Sequence, residues 1–247
     1  MGQASPLGED QWGRRPRLPT SNRPAAVNRC HLPPATYSLS PPLRPTSPPL
    51  LGPKFDEALI YASVLHARQR RKGGGIPYMA HLLGVAAIVL EDGGSEPEAI
   101  AALLHDAVED HPQGGATERE ILERFGSQVH RIVLACTDSD PTLAKGQLKE
   151  AWKARKLRYI EHLRHQTDPD VLRVALADKL YNARSIINDM RLVGDEVFQR
   201  FSVPKAQTIW YYREVTEALR AASGDRSRLV RELRALVVAM ERGVEPI

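Results

Sequence analysis

From Lys54 to the C-terminus the apolar residues of this chain return every three or four positions, and an alternating strand pattern is almost nowhere to be found. Faces of that period are buried by laying helices on helices, so the pattern predicts an all-α fold, a helical bundle. Phe55, Leu59, Tyr61, Ala62 and Leu65 mark a first helix that runs to about Gln69, where RRKGGG opens a loop. A second helix follows Pro77 through MAHLLGVAAIVLED to Gly93-Gly94, with His81 in its first turn. Ser95 and Glu98 have the spacing of a capping box, and Pro97 suits the first turn of a third helix, EAIAALLHDAVED, that stops near Pro112. Thr117 with Glu120 repeats the capping signature ahead of EREILERFGSQVHRIVLACTD, read as two helices divided at Gly126. A polar loop, SDPTLAKG, leads to helices over 148–165, 169–190 and 203–222. The closing stretch, with Leu229, Leu233, Leu236 and Val237 at helical spacing, is expected to pack on the domain or on a second subunit of a homo-oligomer.

The first fifty residues follow another rule. They hold 11 of the 19 prolines and six arginines against Glu9 and Asp10, which accounts for the whole formal charge of +4. Such a segment is too poor in apolar periodicity to fold, so a disordered Pro/Arg-rich tail is expected over 1–53, a helical domain over 54–222 and a C-terminal helix over 223–247. Because the excess charge belongs to the tail, the basic pI gives no reason to expect nucleic acid as the partner. Cys30 and Cys136 fall one in the tail and one in the helical region, which suggests neither a disulfide framework nor a thiolate metal site, and implies a reducing, cytoplasmic compartment. With no apolar run of about 18 residues or more, no membrane span is expected.

ALLHDAVED places His105 beside Asp106, with Glu109 and Asp110 one turn later. On a continuous helix these four rise over one patch of surface, where the carboxylates repel unless a proton or cation intervenes. His81, in PYMAHLLGV, and Asp178, in VLRVALADKLYNARS, stand in similar apolar runs. Two imidazoles and two carboxylates make a plausible open metal site of mixed nitrogen and oxygen donors. Mn²⁺ suits it best, with Fe²⁺ or Zn²⁺ as alternatives and Mg²⁺ less suited to two imidazoles. A lone histidine near a core has a bland explanation; four such residues in this order, with the Glu-Asp pair, favour the metal.

Cations surround these positions: Arg68, Arg70, Arg71 and Lys72 ahead of the glycines, Arg155 and Lys156 in WKARK, Lys179 and Arg184 beside Asp178. Phosphate is the natural anionic substrate group for such a set. Arg155, Lys156 and Lys179 could equally form a solvated helix face, whereas Arg71 and Lys72 adjoin a Gly-rich loop able to close over an anion. Tyr181 and Asn182, three and four residues after Asp178, offer a ring for a base and an amide for a ribose or a metal-bound water; a helix-packing Tyr with an exposed Asn is the plainer alternative.

Taken together, RRKGGGIPYMAH, AALLHDAVED, FGSQVHRIVLACTD and LADKLYNARS resemble the HD phosphohydrolase superfamily, and within it the RelA/SpoT-related alarmone hydrolases with a single domain. The similarity runs from about Phe55 to Ala222. It implies an HD-domain helical bundle, a metal, usually Mn²⁺, held by His81, His105, Asp106 and Asp178, and hydrolytic competence from Glu109 and Asp110. It also implies a nucleotide pocket containing Arg71, Lys72, Tyr181 and Asn182, with Tyr211 or Tyr212 beside it. The expected reaction is hydrolysis of the 3′-pyrophosphate of a guanosine nucleotide. Another nucleotide or dinucleotide phosphate as substrate, or a non-catalytic nucleotide-binding role, are the alternatives.

Overall fold

Helices account for nearly all regular structure in the computed structural model, which describes residues 50–111, 115–138 and 151–243. They are α1 Pro53–Leu65, α2 Met79–Glu91, α3 Glu96–Leu104, α4 Ala107–Asp110, α5 Ala116–Phe125, α6 Ser127–Cys136, α7 Trp152–Arg164, α8 Pro169–Val193, α9 Lys205–Ser223 and α10 Arg228–Arg242. Among the described residues the only strand-like feature is an isolated bridge between Arg70 and Pro77. Residues 1–49 of the expected tail, and the SDPTLAKG loop from position 139, lie outside the described residues.

Local chemistry sets several boundaries. Ser95 and Glu98 form the expected capping box of α3, with Ser95 N and Oγ each 2.7 Å from Glu98 Oε2. Asp168 caps α8 by accepting from Asp170 N, with Pro169 in the first turn. Gly126, at φ +90°, divides α5 from α6, a conformation that a residue with a Cβ adopts only under strain.

Four features depart from the sequence reading. Helix α1 stops at Leu65, short of Gln69, because the following residues fold into a hairpin in which Arg71 N donates to Ile76 O and Tyr78 N to Gln69 O. Thr117 does not cap α5: Gly115 takes that position and the Thr117 hydroxyl donates to the His111 carbonyl. A short 3-10 helix over Gly194–Arg200, unforeseen from the sequence, burying Val197 and Phe198, joins α8 to α9. The fourth, a break at His105, belongs to the site.

Long α8 is the axis of the bundle. It packs against α2, α3, α6, α9 and α10, and its Val174, Ala177, Leu180 and Ala183 are fully buried. Burying a Leu such as Leu103 or Leu180 contributes about 2 kcal/mol, so the core fixes the relative height of α2, α3 and α8. Helix α10 lies on α8 and α9 with Leu229, Leu233 and Met240 in the same core, and Arg184 reaches across to Glu232.

Candidate metal centre and active site

Three helices deliver four donors to one point. His81 comes from the first turn of α2, His105 and Asp106 from the junction of α3 and α4, and Asp178 from the middle of α8. His81 Nε2 lies 3.2 Å from His105 Nε2, 3.5 Å from Asp106 Oδ2 and 3.4 Å from Asp178 Oδ1. From His105 Nε2 the same carboxylates are 3.1 and 3.6 Å away. Donors about 2.0–2.2 Å from a shared ion stand about 2.8–3.1 Å apart at octahedral angles and about 3.3–3.6 Å at tetrahedral ones, the range of the histidine–histidine and histidine–aspartate spacings here.

The tautomer agrees with that fit. A backbone carbonyl can only accept, so His105 Nδ1, 2.8 Å from Ala102 O, carries the proton and aims Nε2 at the cluster. The same bond explains the break in the helix. Ala102 O is the carbonyl that an unbroken helix would offer to the Asp106 amide; α3 instead ends at Leu104 and α4 starts at Ala107. Asp110 N still donates to Asp106 O at 2.9 Å, so the Glu109-Asp110 pair stays one turn from Asp106 on a separate short helix. Glu109 is half-buried and Asp110 exposed.

Electrostatically the cluster demands a positive charge at its centre. Burial alone would push the His105 imidazole down; Asp106 and Asp178 overturn this and hold it well above 6.5. Burial likewise opposes ionisation of the two carboxyls. His105 and His81 nevertheless hold Asp106 well below the usual range, and Lys179, with Nζ 2.6 Å from Oδ2, does the same for Asp178, helped by the two histidines. A proton on His105 supplies one charge; a divalent cation would supply two without needing a donor hydrogen. Among the described residues His81, His105 and Asp106 bring donor atoms within 4.8 Å of one another, a group that could hold a metal ion; Asp178 reaches both histidines but falls outside that group.

Residues 58–204 match the family defined by the HD domain. The chain is an HD-domain protein. Similar proteins include the guanosine-3′,5′-bis(diphosphate) 3′-pyrophosphohydrolases MESH1 of Xenopus tropicalis and Danio rerio. The first is 43% identical over 133 residues, 53% of this chain and 68% of the relative. The second is 34% identical over 192 residues, 76% of this chain and 94% of the relative. A solved structure of a metazoan SpoT orthologue that hydrolyses ppGpp and plays a role in starvation responses has a TM-score of 0.60 at 27% identity, covering 81% of this chain and 99% of that one.

In this HD domain the residues expected around a nucleotide divide. Asn182 is not an exposed amide: Nδ2 donates to Asp178 Oδ1 at 2.6 Å and Oδ1 accepts from Arg71 Nη2 at 3.0 Å, so it bridges the His/Asp cluster to the glycine loop. Arg71 also lies 5.4 Å from the Tyr181 ring, which meets His81 edge-on at 5.1 Å. Lys72 is exposed on the loop. Arg184 is spent on Glu232 of α10, and Arg70 on the Gly75 carbonyl, so neither joins the cluster.

Three contributors escaped the sequence reading. The Tyr78 hydroxyl donates to Asp106 Oδ2, and burial, with Asp106 beside it, holds that phenol far above its usual pKa, fixing it as a donor. Its place three residues before His81 was the available signal. Gln69 donates from Nε2 to Asp110 Oδ2 at 2.6 Å and accepts at Oε1 from His66 Nδ1 at 2.7 Å, steering the carboxylate; nothing in the sequence marks it. At Gly84 a Cβ would lie 1.9 Å from Tyr181 Cε2, so glycine there lets the ring stand against α2.

Proposed function

We propose that this chain is a metal-dependent phosphohydrolase that removes the 3′-pyrophosphate of guanosine alarmones, converting (p)ppGpp to GDP or GTP and pyrophosphate in a reducing cytoplasm. The catalytic unit is residues 54–222, with α10, Arg228–Arg242, as a supporting helix. The observation that carries the reading is that the Nε2 atoms of His81 and His105 stand 3.2 Å apart, each 3.1–3.6 Å from an oxygen of Asp106 and of Asp178, one turn from a Glu-Asp pair.

His81, His105, Asp106 and Asp178 hold the cation, and their nitrogen and oxygen donors favour Mn²⁺. When bound, the ion supplies Lewis acidity toward a phosphoryl oxygen and the attacking water. Glu109, helped by Asp110, accepts a proton from that water as its oxygen bonds to the phosphorus carrying the ribose 3′ oxygen. The bond from that phosphorus to the 3′ oxygen breaks, and the leaving oxygen takes up a proton. Gln69 aims Asp110 through its 2.6 Å bond. Arg71 and Lys72 face the phosphates, and Tyr181 offers its ring to the base.

Incubating the purified protein with guanosine tetraphosphate and Mn²⁺ tests the reading. GDP and pyrophosphate in equal amounts are expected. Intact tetraphosphate, with another nucleotide or a dinucleotide phosphate turning over, would reject the substrate while leaving the chemistry.

A further inference from the structure

Helix α7 carries two cations on a face that is not solvated. Arg155 and Lys156 side chains are 18% and 15% exposed, and both turn toward one carboxylate, Asp138, itself 8% exposed. Lys156 Nζ bonds Asp138 Oδ2, while Arg155 Nε stands 3.6 Å from Oδ1. That last separation is too long for a hydrogen bond, and among the described residues both atoms, Arg155 Nε and Asp138 Oδ1, are buried without a partner. Among the described residues one carboxylate thus serves two largely buried cations, leaving a positive charge and a donor unmatched, a costly arrangement unless an anion completes it.

The surroundings connect this pair to the metal cluster. Lys156 Nζ lies 4.8 Å from the Tyr211 ring, and the hydroxyl of Tyr211, a residue 93% buried, also lacks a partner among the described residues. Lys179, whose Nζ is 2.6 Å from the cluster carboxylate Asp178, touches the same wall at 5.2 Å from the Tyr159 ring and lies close enough to Asp138 to help hold it ionised. Two cations and a phenol donor stand, through Lys179, next to the point where the scissile phosphate would bind.

We propose that Arg155 and Lys156, with the Tyr211 hydroxyl, bind the 5′-diphosphate of the guanosine nucleotide, and that Asp138 occupies their cations until that group displaces it. This rests on the nucleotide reading above. A diphosphate carries at least two negative charges and several acceptor oxygens, so it meets both cations and the phenol together, which one carboxylate cannot. Asp138 is therefore a competitor of the substrate. Burial pushes its carboxyl up, but Lys156 and Arg155 hold it below the usual range, so it competes as an anion.

Binding of GDP, guanosine and inorganic pyrophosphate to the full chain is measured by calorimetry for the wild type, Lys156→Met and Asp138→Asn. Lys156→Met weakens GDP binding about tenfold, the loss of one charged hydrogen bond, and Asp138→Asn strengthens it severalfold; guanosine moves in neither. Should Lys156→Met fold poorly by circular dichroism, the opposite-signed change in Asp138→Asn carries the test alone. GDP binding that ignores both substitutions, or guanosine changing in step with GDP, overturns the proposal. Pyrophosphate responding to the substitutions while GDP does not would make this a site for free anions and also overturn it. Because GDP binding needs no turnover, a protein that spares guanosine tetraphosphate yet shows these shifts loses the catalytic reading and keeps this one.

Discussion

The donor cluster and the glycine loop meet at Asn182, yet they are built in opposite ways. His81 and His105 are 1% and 2% exposed, anchored on helices whose heights are set by the core around α8. The loop from Arg70 to Pro77 is held by a bridge and the bond from Arg71 N to Ile76 O, and most of it, Lys72 included, faces solvent. A metal needs fixed donors within a few tenths of an ångström, which only packing supplies; a polyphosphate tolerates a charge carried on an adaptable chain. The two halves should therefore fail differently: damage to the cluster should abolish turnover and metal binding together, and damage to the solvent-facing part of the loop should change substrate affinity and leave the metal in place.

The heaviest blow to that contrast is a double substitution, His105→Ala with Asp106→Ala. It removes two donors and the charge stabilisation they anchor, several kcal/mol, so turnover falls by at least about a thousandfold and metal analysis finds no bound Mn²⁺, while the helical circular dichroism persists. Turnover at the wild-type rate would remove the site assignment. Next comes Glu109→Gln, which deletes a proton acceptor but no donor to the cation. Its kcat drops by about a hundredfold to a thousandfold with metal content unchanged, and a fall in metal content instead would move Glu109 into the cluster.

Tyr78→Phe probes how far the rigidity of the cluster extends. The phenol donates to Asp106, and loss of such a supporting bond lowers metal affinity about tenfold, read from Mn²⁺ titration, with secondary structure unaltered. Tyr78 also shows where the sequence was legible and where it was not. His81, His105, Asp106 and Asp178 could be recognised because each is a polar residue in an apolar helical run, and burial of such a residue demands a reason. Tyr78 and Gln69 lie at the edge of the hairpin, where polar residues are ordinary, and their roles depend on which side chains the turn brings together. The capping box at Ser95 was legible for being local, whereas the break at His105 arises from a side chain that bonds its own helix's carbonyl, which periodicity cannot register. Asn182 was found for its spacing from Asp178, but its amide is occupied by Asp178 and Arg71, a pairing set by the loop returning to α8.

Titration of the cluster gives a fourth test. His105 has a pKa above its unfolded value of 6.5, so without metal its stabilising contribution is complete below pH 6.5 and is lost as pH rises through the folded pKa. The depressed Asp106 and Asp178 are ionised throughout that window, since their contributions are lost only as pH falls below 3.8. Metal binding requires the neutral ring and becomes stronger over the same rise. The increase in Tm on adding Mn²⁺ should therefore widen as pH rises above 6.5. A gain independent of pH would mean that the ion does not take the place of the His105 proton.

Within the loop, Arg71 and Lys72 separate the two halves most finely. Arg71 is half-buried, bonds Asn182 and faces Tyr181, so Arg71→Ala removes a charge and also frees the amide that steadies Asp178. KM rises about tenfold, and metal affinity slips with it because the bridge is broken. Lys72 sits beside it in sequence but in water, where a screened charge contributes at most about 1 kcal/mol, so Lys72→Ala raises KM less than about fivefold and leaves metal affinity untouched. Measuring both constants for both variants decides whether the loop is a single unit. Equal effects on KM would mean that Lys72 closes onto the phosphates as fully as Arg71, whereas a metal defect confined to Arg71 would place the boundary between the rigid and adaptable halves at the bond between Arg71 and Asn182.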